Sequence, residues 1–158
     1  MSRAFTKEDE GGDALGGIGE RPISSHRNLV TRCGLEKLEA EIARLRDELA
    51  RIGPSTDRER FALLSRDLRY WTARRETAEI VMPDWNSEVI RFGMRVSVED
   101  EDGVRKTWTI VGEDEADAAC GTVSHVSPLA QALFGKRVGE AAIVNGKAWE
   151  VVAIGVEE

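Results

Sequence analysis

The chain is poor in the residues that fix function most easily. Of its 158 residues only 2 are cysteine and 2 are histidine. Cys33 and Cys120 have no metal-ligand spacing and build no disulfide framework, so both read as free thiols in a reducing compartment. His26 and His125 have no cysteine or carboxylate at ligand spacing; they read as an exposed tail residue and a strand residue. No apolar run is long enough to cross a bilayer, and the first residues lack the apolar core of a signal peptide. A cytoplasmic protein without membrane contact is the expectation. No nucleophile-elbow pattern surrounds any serine, and no phosphate-cradling glycine loop follows a strand. Gly16-Gly17-Ile18-Gly19 is glycine-rich but sits in a tail. The residues therefore point away from an enzyme of its own, and no metal site or cofactor is expected.

Charge is what the chain has in quantity. Charged residues make up 32% of it and apolar residues 41%, with a net charge of -7. The pI is about 5.0, which disfavours a non-specific duplex DNA binder. The acid is concentrated in residues 84–158, which carry 7 Lys/Arg against 14 Asp/Glu. Residues 31–82 are nearly balanced, with 11 against 10. An acidic domain favours a basic protein partner.

The chain is organised around Leu35 to Met82. Leu35, Leu38, Ile42, Leu45, Leu49 and Ile52 recur at steps of three and four, an unbroken heptad seam. Thr31 is the expected N-cap. Gly53-Pro54 stops the helix, because Pro54 pushes Gly53 away from helical angles. A second arm restarts at Thr56, which with Glu59 reads as a capping box. Its seam runs through Phe61, Leu64, Leu68, Trp71 and Ala78, with Arg75 interrupting. Two seams joined by so short a turn fold back as an antiparallel coiled coil. Two core helices of a globular domain are the alternative, and the outer faces argue against it: Arg44, Arg46, Asp47, Arg51, Arg58, Arg66, Arg69 and Arg74 read as solvated.

After Met82-Pro83 the periodicity changes from helical to two. Arg95–Val98, Lys106–Val111, Thr122–Val126, Ala141–Val144 and Ala148–Ile154 read as strands, with Asp102-Gly103 and Asn145-Gly146 as hairpin turns. Glu113 to Asp117 reads as a solvated acidic loop. Ser127 at the N-cap, Pro128 at N1 and Gly135 at the end frame one short helix. The expected fold class is α+β: a coiled-coil hairpin, then an antiparallel sheet with a short helix. The expected segments are a disordered tail at 1–27, the hairpin at 28–82, a linker at 83–91 and the sheet domain at 92–158.

Thr109-Ile-Val-Gly-Glu-Asp-Glu-Ala-Asp117, Gly121-Thr-Val-Ser124, Ser127-Pro-Leu-Ala-Gln-Ala-Leu-Phe-Gly-Lys136 and Val138-Gly-Glu140 resemble the C-terminal domain of the bacterial Gre transcription elongation factors (GreA/GreB). Leu29-Val-Thr-Arg-Cys-Gly-Leu-Glu-Lys-Leu38 resembles the opening of that family's coiled coil. Leu68-Arg-Tyr-Trp71 with Ile80-Val81 resembles its close. The resemblance implies an FKBP-like C-terminal domain without isomerase activity, docking on the rim of the secondary channel of RNA polymerase. It implies Val126, Ser127, Pro128 and Leu129 as the rim-facing segment. It also implies a coiled coil that enters the channel, near the nucleic acid of the transcription complex. A monomer is expected.

In the family's cleavage factors, acidic tip residues help hold a Mg²⁺ shared with the polymerase active site. Here the tip is Gly53-Pro-Ser-Thr-Asp-Arg-Glu59, so Asp57 and Glu59 are the candidates. Their spacing departs from the family's pattern, and Arg58 and Arg60 flank them. The arms are also shorter than the family's by roughly ten residues, or about 15 Å of helix. The resemblance therefore implies a polymerase-binding regulator without strong cleavage stimulation, akin to shortened relatives such as the nucleoside diphosphate kinase regulator group. A cleavage factor using Asp57 and Glu59, and an interaction module unrelated to polymerase, are the alternatives.

Overall fold

The computed structural model describes residues 18–156. The tail expectation for residues 1–17 lies outside them. The described chain is α+β and divides into two compact units.

The first unit contains residues 37–77 together with the segment that ends at Ser25. Helix α1 runs Arg32–Ile52 and helix α2 runs Arg58–Thr77. Glu39 meets Arg75 at 2.8 Å, and Glu48 meets Arg60 nearer the turn. Those pairings are the register of an antiparallel hairpin. The α1 seam is buried at Leu38, Ile42 and Leu45, the last with no exposure. The α2 seam is shallower: Phe61, Leu64, Leu68 and Trp71 are half-buried, and Ala78 lies beyond the helix end. Gly53 closes α1 at φ 68°, a left-handed angle that glycine adopts without a Cβ clash. Arg74 corrects the sequence expectation of a solvated outer face, since it is 1% exposed. An arginine stem can cover apolar surface as readily as reach for water, and periodicity does not tell the two apart.

The second unit contains residues 26–36 and the chain from Ala78 onward. Its extent differs from a boundary at Pro83 for a physical reason. Leu29–Val30 (β1) and Glu79–Ile80 (β2) form a parallel two-stranded ladder, with Leu29 opposite Glu79. Residues before and after the hairpin are thereby tied into one unit.

The main sheet has β3 (Arg95–Glu99), β4 (Arg105–Val111), β5 (Thr122–Ser124), β6 (Ala141–Val144) and β7 (Lys147–Gly155). Their order is β5-β4-β3-β7-β6. The sheet is mixed and not wholly antiparallel, because β5 joins β4 in parallel, Thr122 opposite Thr109. The loop and 3-10 turn between them carry the chain back to the same end, a crossover that alternation alone does not reveal. Period-two burial works as expected on β3, where Val96 and Val98 are buried between exposed or half-buried neighbours. Helix α3 (Pro128–Leu133) crosses this face and adds Ala130 and Leu133 to a core with Ile90, Ile110, Trp149 and Val151. Burying each Val, Leu or Ile among them contributes about 1.5–3 kcal/mol.

Candidate functional site

Two places carry the sequence-predicted site residues, one in each unit. The hairpin tip is built by the stop at Gly53-Pro54 and the restart of α2. Here the expected capping box gives way to a simpler cap. Asp57 Oδ1 accepts the amide of Arg60 at 3.1 Å, and the Asp57 carbonyl accepts Phe61 N at 3.0 Å. Asp57 is therefore the N-cap, one residue later than Thr56. A carboxylate three residues before a free helical amide is the stronger acceptor, and Glu59 falls in the first turn. Both acids are exposed. Beside them the arms share charges: Arg44 donates to Glu41 at 2.6 Å and to Glu48 at 2.7 Å, and Glu48 also holds Arg60. Arg58 and Arg60 alternate with the two tip acids in sequence. Asp57 and Glu59 do not fit a Mg²⁺ cradle of their own. Among the described residues, no group of three His, Cys, Asp or Glu is arranged to hold a metal ion.

The turn into α3 is the second place. Ser127 caps the helix by accepting Ala130 N at 3.2 Å, and Pro128 occupies the first turn, as the sequence predicts. Upstream, Ser124 holds the turn with its Oγ on Val126 N at 3.2 Å and its carbonyl on Ser127 N at 3.0 Å. Gln131 Nε2 donates to the His125 carbonyl at 2.7 Å, closing the turn from the helix side. His125 lies just past β5, buried and edge-on to Phe92 with centroids 5.5 Å apart. Pro128 is exposed, Val126 and Ser127 are half-buried, and Leu129 leans on the core. A rigid turn thus presents a short apolar and hydroxyl-bearing surface.

Leu129 also lines a shallow groove of about 330 Å³, with Val98, Trp108, Val144 and Trp149 as its floor and walls. Lys106 and Lys147 stand 5.4 Å and 4.9 Å from the Trp149 ring centroid. Sequence reasoning missed this groove, yet a signal was present. Lys106-Thr-Trp108 and Lys147-Ala-Trp149 repeat one spacing, and residues two apart on a strand share a face. Lys147 also pairs with Asp100 at 2.7 Å, and that lysine is the main reason the Asp100 carboxyl is held below its usual range.

The acidic loop holds the other miss. Glu115 is not a solvated charge: its Oε2 accepts Thr31 N and Gly112 N, each at 3.0 Å, and its Oε1 accepts the Thr31 hydroxyl. Thr31 meanwhile caps α1 through Gly34 N at 3.0 Å, as expected. An acidic run looks alike whether one member turns inward or none does.

The model of the C-terminal domain of transcription elongation factors GreA/GreB matches residues 85–155, the sheet unit and its approach. The GreA transcription elongation factor of Maridesulfovibrio salexigens is 33% identical over 135 residues, covering 73% of this chain and 84% of that one. The GreA of Rhizobium etli is 39% identical over 93 residues, covering 56% and 58%. In solved structures, the GreA factor homolog Gfh1 of Thermus thermophilus is 24% identical, with 82% of this chain and 99% of that one covered at a TM-score of 0.40. The sheet unit with its Ser127-Pro128 turn lies within the matched residues, and the relatives it matches are transcription elongation factors. The chain belongs to the GreA/GreB family. Among the described residues no helix is long and apolar enough to cross a membrane.

Proposed function

We propose that this chain binds RNA polymerase at the secondary channel, docks there through Val126, Ser127, Pro128 and Leu129, and occupies the channel without strongly stimulating transcript cleavage. The observation that carries this reading is the engagement of Asp57 as the cap of α2, with Arg60 N at 3.1 Å from its Oδ1. A carboxylate holding a helix terminus is a poorer metal ligand than a free one. Two further features agree. The arms are 21 and 20 residues long, or roughly 30 Å each at 1.5 Å per residue. Asp57 and Glu59 alternate with Arg58 and Arg60, whose charges weaken the field that would draw a Mg²⁺. Any Mg²⁺ in the reaction belongs to the polymerase active site, and this chain needs no cofactor. Contact with nucleic acid is indirect, through the transcription complex. The protein acts as a monomer in the cytoplasm, where that partner is.

The alternative, a cleavage factor using Asp57 and Glu59, has one observation in its favour: both carboxylates are exposed. Docking is tested first, by measuring polymerase binding of Ser127→Ala/Pro128→Ala beside the melting of the same variant. Binding reduced about tenfold in a folded variant is expected. Unchanged binding would remove this turn from the interface.

A further inference from the structure

Residues 18–25 belong to the same compact unit as the hairpin helices, although they form neither helix nor strand. Side chains hold them there. Glu20 grips Arg69 through both carboxylate oxygens: Nη2 donates to Oε1 at 2.6 Å, and Nε lies 3.0 and 3.1 Å from Oε1 and Oε2. The next residue, Arg21, lays its guanidinium over Tyr70, 3.8 Å from the ring centroid, and 5.4 Å from that of Trp71. Its Nη1 is also 3.5 Å from Asp67. Tyr70 and Trp71 meet edge-on at 5.0 Å, which fixes the ring under the guanidinium. Helix α2 thus carries two adjoining subsites. Arg69 is an anion site, and Tyr70 with Asp67 is a cation site. The dipeptide Glu20-Arg21 fills them in order.

We infer that residues 18–25 are a strap filling a two-part peptide site on α2, for which a polymerase segment presenting a carboxylate beside a guanidinium competes. The identity of the partner rests on the function proposed above; the closed strap does not. The site's chemistry selects the partner class. A phosphate could replace Glu20 on Arg69; Asp67 is already paired with Arg66 at 3.0 Å, so the second subsite is decided by the ring of Tyr70. The Tyr70 face is filled by a cation, which a nucleic acid does not offer. The strap is also releasable. The Glu20 and Arg69 side chains are 65% and 57% exposed, and exposed ion pairs hold weakly. A partner bringing the same two groups and any additional contact shifts the population to the open form.

The experiment uses the full chain and its single tyrosine. Hydroxyl-radical footprinting of Tyr70 reads whether the strap is closed, and polymerase binding reads whether closure matters. Glu20→Ala/Arg21→Ala should oxidise several-fold faster at Tyr70 and bind polymerase about three- to tenfold more tightly. Adding Arg69→Ala to that variant should cancel the gain. Equal Tyr70 reactivity in wild type and variant would overturn the closed strap. An opened strap with unchanged or weaker binding would overturn the competition while leaving polymerase binding itself intact. No binding by either protein would sink the proposed function and this inference with it. Protection of Tyr70 in the opened variant by a short single-stranded RNA, without polymerase, would overturn the assignment to a protein segment.

Discussion

Glu115 accepts the backbone amide of Thr31 at 3.0 Å across 84 positions of sequence. The same carboxylate holds Gly112 N, so one side chain ties the start of α1 to the loop after β4. Its grip depends on Gly34. A Cβ there would lie 2.0 Å from the Glu115 carboxyl carbon. Alanine for glycine inside a helix normally stabilises by about 1 kcal/mol. Here Gly34→Ala should destabilise, because the carboxylate must leave its donors. Glu115→Ala should cost about 1–3 kcal/mol through the amides it strands. The double variant should cost little more than either single one, since both break the same contact. Thermal melts of the four proteins check this, and simple additivity would contradict it.

The cap of α2 separates two readings of the tip. With Asp57 as the N-cap, Asp57→Ala should lower hairpin stability by about 0.5–2 kcal/mol. Thr56→Ala should have little effect, the reverse of what a Thr56-Glu59 box requires. Far-UV circular dichroism during urea titration measures both.

Asp100 gives the sheet unit a dependence on acid. Its Oδ1 accepts Asp102 N at 2.9 Å and Val104 N at 2.8 Å, and its Oδ2 meets Lys147 at 2.7 Å. The carboxyl is therefore held below its usual value, by Lys147 first and by these amides as well. A depressed folded pKa means stability that is fully present above the unfolded value, near 3.9, and lost as pH falls through the folded one. Asp100→Asn should melt lower than wild type at neutral pH, and the gap should narrow below about pH 4. Lys147 is raised, chiefly by Asp100, so the pair also weakens as pH climbs through the lysine's folded value. A gap that stayed constant down to pH 2 would show that the ion pair contributes nothing.

Much of this architecture is legible in the residues because several local signals agree. The unbroken seam from Leu35 to Ile52 and the Gly53-Pro54 stop specify the hairpin, and Leu38, Ile42 and Leu45 are buried as that seam requires. The Ser127-Pro128 turn is legible because an N-cap and a proline at N1 have few other uses. What stays hidden is long-range pairing. The parallel partnerships of Leu29 with Glu79 and of Thr109 with Thr122 leave no local trace. Nor does alternation say which acid of Glu113 to Asp117 points inward. At the tip, Thr56 and Asp57 are both good caps, and the turn geometry after Gly53 decides between them.

The tip decides whether the protein merely occupies the channel or stimulates cleavage. Transcript cleavage in a backtracked elongation complex, titrated with this protein alone and then beside a cleavage-competent factor, tests it most directly. No rise in cleavage is expected from the protein alone, and a progressive loss of the second factor's cleavage is expected as it is displaced. Metal-dependent cleavage by the protein alone, abolished by Asp57→Ala in a variant that keeps its helicity, would contradict it.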